Sequence, residues 1–150
     1  MTSSLRLTAW ILIIGVSLAL VVAAIALITR VSMKPRRIGG LVAVLPNLLM
    51  LALFYSLAAH MWLRLGAWPS PAGQWEEIAF QKAHARVATD YWAIQLVLSG
   101  TILPVALLVC MMVRRWRGAV AYLGIYAVAY VISWGFFLLA PSGFLVWWWD

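Results

Sequence analysis

Charge is what this chain has least of, and acid least of all. Asp, Glu, Lys and Arg make up 10% of its 150 residues, and four acids stand against eleven bases. With 66% hydrophobic residues and a mean hydropathy of +0.99, the composition lies outside the range of water-soluble domains and fits an integral membrane protein. A net charge of +7 would suit nucleic acid if it formed a stripe. Here the bases sit at the ends of apolar runs, so nucleic acid is not expected as a partner. The single cysteine, Cys110, excludes an intrachain disulfide and any cysteine-built metal centre. There is no internal repeat, no HExxH, no Gly-rich phosphate loop and no Ser/His/Asp set that can be assembled. Ionisable residues inside a bilayer are costly and usually mark enzymes or cation transporters, and none falls within the apolar runs. These absences point away from catalysis.

What is present is four apolar runs. Arg6 and Arg30 enclose 23 uncharged residues, Arg37 and Arg64 enclose 26, and Asp90 and Arg114 enclose 23. Each is long enough, at about 1.5 Å per helical residue, to cross a hydrocarbon core of about 30 Å. The last run is uncharged from Gly118 to Trp149, but Pro141 and Gly143 should end its helix near Ala140. The expected fold is therefore an all-α integral membrane four-helix bundle, with transmembrane spans at about 8–29, 38–64, 89–113 and 117–140. An outer loop at 65–88 and an interfacial Trp-rich tail at 141–150 complete it. The first span resembles a signal peptide at Ala24-Ile25-Ala26, but its apolar run is long and a basic cluster follows at once. An uncleaved anchor is expected.

Seven of the eleven bases lie in two short turns, one with Arg30, Lys34, Arg36 and Arg37, the other with Arg114, Arg115 and Arg117. All four acids, Glu76, Glu77, Asp90 and Asp150, fall on the other side. The positive-inside rule makes the turns cytoplasmic and puts both termini and the central loop outside, and a bacterial inner membrane is the expected location. Arg6, which a translocated N-terminus must carry, runs against this.

Polar residues inside the spans are few enough to weigh singly. Gly15, Ala19 and Ala23 give the first span a small-residue row suited to close packing. In the second span Pro46 implies a kink, and Asn47 needs a partner on a neighbouring helix or a ligand. Gln95, Ser99, Ala106 and Cys110 share one narrow sector of the third span, where Gly100 and Pro104 imply another kink. Tyr122, Tyr126, Tyr130 and Trp134 follow at four-residue steps in the fourth. Their hydroxyls either bond to Asn47, Gln95 and Ser99 or accompany an aromatic or polyene ligand.

The longest polar stretch, Trp68 to Asp90, begins with Pro69 and Pro71 and predicts a short outer amphipathic helix between the second and third spans, capped by Ser70 and running into the third. Glu76, Glu77 and His84 on it are candidates for docking a partner. Eight tryptophans, including Trp92 and Trp147, Trp148 and Trp149, mark the outer side and only Trp116 the inner one, which suggests an outer aromatic platform. His60 lies one turn before Arg64 and so is interfacial. A bis-histidine haem inside the bilayer lacks a second histidine; His84 is the only other.

Three function classes follow. The first is a non-catalytic subunit of a larger membrane complex, energy-converting or electron-transferring, that contacts other membrane subunits and lipids. The second binds a lipophilic cofactor (quinone, carotenoid, haem or lipid) near His60, Trp92, Tyr130 and Trp134. The third is an oligomeric transporter or channel lined by Asn47, Gln95 and Ser99.

Overall fold

A computed structural model describes residues 36–68 and 79–149, with side chains from Lys82 in the second segment. The expected first span, Glu76, Glu77 and Asp150 lie outside the described residues. Those described are all-helical.

Helix α1 (Arg37–Leu65, 29 residues) is the second expected span almost to the residue. Arg36 and Arg37 at its start oppose the helix dipole, so their place reflects the edge of the apolar run rather than helix stability. It stops at Gly66, which takes a left-handed φ of 64° and returns its N–H to Trp62 O at 2.9 Å, a conformation glycine adopts without a Cβ penalty. Pro46 lies within the helix without ending it.

α2 (Ala79–Val97) passes from the polar stretch into the third span without a break, as the sequence suggested; the expected start of the outer helix at Ser70 and Pro71 lies outside the described residues. Phe80 to Asp90 contains no glycine or proline, and nothing in it stops a helix once started. The kink expected at Gly100 and Pro104 takes the form of a π-turn, Leu98–Ile102, before α3 (Leu103–Met112). Leu103 donates its N–H to Leu98 O, five residues back. Pro104 has no N–H to donate, and widening the turn by one residue relieves its ring from the preceding carbonyl. Thr101 Oγ1 donates to Val97 O at 2.6 Å in the same turn.

A single 3-10 turn at Arg114–Trp116 reverses the chain into α4 (Ala119–Leu138). Leu139 and Ala140 tighten its end with bonds to Phe136 O and Phe137 O before Pro141. The Trp-rich tail is helical: α5 (Ser142–Trp149) has eight residues. Its Phe144 is fully buried.

Contacts fix the directions. Arg36 meets Tyr122, Asn47 meets Tyr126 and Tyr55 meets Phe136, so α1 and α4 run parallel. Pro46 meets Tyr91 and Ser56 meets His84, so α1 and α2 run antiparallel. α4 lays the Tyr122 ring on Gly39 of α1, where any Cβ would fall on that ring. Three helical stretches, Arg37–Leu65, Lys82–Met112 and Ala119–Leu138, are long and apolar enough to cross a membrane. Their outward faces fit lipid: Leu41, Leu63 and Met112 are 70%, 81% and 82% exposed. The interior has three layers. Phe54, Leu57, Met61, Phe137 and Phe144 fill an aromatic end, Leu103, Leu107, Cys110, Val120 and Ala127 fill the basic end, and polar side chains lie between.

Candidate functional site

The polar layer is a directed chain of hydrogen bonds. Tyr126 Oη donates to Gln95 Oε1 at 2.6 Å, which uses its one proton. Ser99 Oγ, 2.8 Å from Tyr126 Oη, must therefore be the donor in that contact. On the other side of the carboxamide Gln95 Nε2 donates to Tyr91 Oη at 3.2 Å, and Tyr91 Oη donates to Pro46 O at 3.1 Å. Bonds from Ser99 to Pro46 all point one way and polarise one another, and they join α4, α2 and α1. Asn47 adds a long bond of 3.4 Å from Nδ2 to Tyr126 O, and its Oδ1 has no partner among the described residues. The three interhelical polar residues expected from the sequence, Asn47, Gln95 and Ser99, are thus brought together, all 2% exposed or less.

These bonds tie three helical stretches together. Gln95 stands between the two phenols, and passing a proton through a carboxamide requires an unfavourable imidic tautomer. Ser133, also buried, and Tyr130, which stands beside Ser99 and Trp134, extend the layer toward the aromatic end.

Of the four residues expected around a lipophilic cofactor, three are contiguous. Trp92 and Trp134 meet edge to face with centroids 5.8 Å apart, and Tyr130 meets Trp134 at 6.2 Å. Trp134 and Tyr130 are buried and packed against protein. His60 belongs to another site. Its ring pairs with His84, centroids 5.7 Å apart and planes inclined by 56°. Ser56 Oγ lies 3.0 Å from His84 Nε2 while donating to Leu53 O at 2.9 Å, which makes His84 the donor when both bonds are made. With Arg64 these residues line an open pocket of about 470 Å³. Burial and the neighbouring His60 both lower the pKa of His84 below the ordinary histidine value. His84 lies outside the bilayer in our reading: a helix of 31 residues rises about 46 Å, more than the core needs, and its first turns carry Lys82, Arg86 and Asp90. Arg86 and Asp90 form an i, i+4 pair at 3.7 Å, both largely exposed.

The expected docking tryptophans have an intramolecular setting. Trp147 stacks on Phe144 at 5.6 Å, Trp148 meets Phe54 at 5.3 Å, and Trp149 meets Trp92 at 5.4 Å. Trp149 and Trp62 also keep exposed edges.

Tyr91 is a further member of this layer: with Gln95 and Ser99 it continues a four-residue row, and that spacing was the available signal. Phe54, Phe137 and Phe144, which form the aromatic core, carry no such signal inside uniformly apolar runs. Among the described residues no cluster of three or more His, Cys, Asp or Glu side chains is placed to hold a metal. Comparison of the chain with protein-family models, with curated proteins and with solved structures finds no match.

Proposed function

We propose that this chain is a non-catalytic integral subunit of a larger membrane complex, energy-converting or electron-transferring, which supplies helices, lipid contacts and an aromatic docking end. In this reading it has four spans in a bacterial inner membrane, with the basic turns cytoplasmic and the aromatic end outside. One observation carries it: among the described residues, the side chains of Ser99, Tyr126, Gln95 and Tyr91 are spent on one another in a hydrogen-bond chain that ends on a backbone carbonyl. An interior so committed serves packing, while the outer surface of α1 and α3 offers apolar rows to lipid or neighbouring helices. Trp62 and Trp149 keep exposed edges at the aromatic end, where an interface anchor is expected.

Purification from the native membrane in mild detergent tests this. The chain is expected to co-migrate with other membrane subunits, and a stable species containing this chain alone would overturn the proposal.

A second reading, a lipophilic-ligand protein, is favoured by one feature. A groove of about 340 Å³ between α1 and α4, lined by Leu48, Leu51, Ile125, Ile132 and Phe136, is almost wholly apolar and suits an acyl or polyene chain. A visible absorption spectrum and solvent extraction of the purified protein decide it: pigment or quinone is expected under this reading, and colourless protein yielding only phospholipid removes it.

A further inference from the structure

The pocket near the aromatic end stands apart from the scaffold chain. Ser56, His60 and Arg64 succeed one another at four-residue steps and share one face of α1. His84 reaches that face from α2. A cation held at about 2.0–2.1 Å by one nitrogen of each imidazole lies about 3.2 Å from each ring centroid. The centroids are then about 4.5 Å apart at a right angle, about 5.2 Å at a tetrahedral angle and about 6.4 Å at a linear one. The observed 5.7 Å falls between these limits. Two donor atoms on one such ion are about 2.9–3.4 Å apart, from octahedral to tetrahedral geometry, and Ser56 Oγ stands 3.0 Å from His84 Nε2. The pocket is open, so water can complete the shell.

We propose that His60 and His84, with the Ser56 hydroxyl, form a binding site for a divalent late transition-metal ion, Cu²⁺ ahead of Zn²⁺, that ties α1 to α2 at the aromatic end. Imidazole ligands suit both ions, and the general affinity order places copper first. The cation takes the position of the proton between His84 Nε2 and Ser56 Oγ, and that proton moves to Nδ1, so a neutral imidazole binds with no net proton release. Nothing is oxidised or reduced. Arg64 lines the same pocket and opposes a cation, which separates this proposal from its main rival. An anionic head group would use Arg64, whereas a metal ion binds despite it.

The test uses the whole chain, purified in detergent through a tag free of histidine and titrated with Cu²⁺ and with Zn²⁺. One ion per chain is expected, with a rise in Tm, and bound Cu²⁺ should show magnetic-resonance splitting from two imidazole nitrogens. His60→Ala and His84→Ala should each weaken binding at least about tenfold, and Arg64→Gln should tighten it by about two- to fivefold. Should an alanine variant fail to fold, His60→Gln and His84→Gln carry the same expectation. Absence of saturable binding, histidine variants that bind like the parent, a metal-dependent dimer, or Arg64→Gln weakening the site would each overturn the proposal.

Discussion

Removing the Tyr126 hydroxyl takes partners from two side chains at once. Gln95 Oε1 loses its donor and Ser99 Oγ its acceptor, both on buried residues. Interhelical hydrogen bonds in membrane proteins average about 0.6 kcal/mol and reach about 1.7, so two of them set a cost of about 1–2 kcal/mol for Tyr126→Phe. Asn47 is equally buried but makes one bond, at the long limit. Asn47→Leu should therefore cost under about 0.5 kcal/mol. Equilibrium unfolding in mixed micelles measures both. The reverse ranking would show that Asn47 Oδ1 is bonded by a group outside the described residues.

At the scale of elements, α5 has one fully buried anchor. Phe144 is completely buried among Phe54, Trp68 and Trp147. Phe→Ala at a packed site costs about 3–5 kcal/mol, more than an eight-residue helix can recover from its own backbone. Phe144→Ala should release α5 and expose Trp147, Trp148 and Trp149, seen as a red shift in tryptophan fluorescence with the helix content otherwise kept. An unshifted spectrum would mean that the three tryptophans hold α5 without it. The positions of α1 and α4 were legible in the sequence because charge and Pro141 bound their runs. The joined α2 was legible too, because its polar stretch holds no helix breaker; the helical α5 was not. An apolar stretch after a proline fits more than one conformation until packing decides.

For the whole molecule the arrangement of charge makes a prediction about sidedness. With Cys110 replaced by serine, single cysteines at Glu76 and at Arg115 report opposite faces. Glu76→Cys should react with a membrane-impermeant maleimide in intact cells, and Arg115→Cys only after permeabilisation. The opposite pattern would put the aromatic end and the proposed metal site in the cytoplasm.

The sequence by itself determined the membrane class, the extent of the second and fourth spans and the polar residues that had to find partners. Those follow from local quantities: length of an apolar run, position of a charge, cost of an unpaired amide. Only the tertiary structure decided that Tyr91 reaches Pro46, that His60 faces His84 rather than Trp134, and that the tryptophan tail folds onto Phe54 and Phe137. Periodicity reports which face of a helix a residue occupies. The depth at which two helices meet depends on packing between residues that lie tens of positions apart, and no local pattern encodes it.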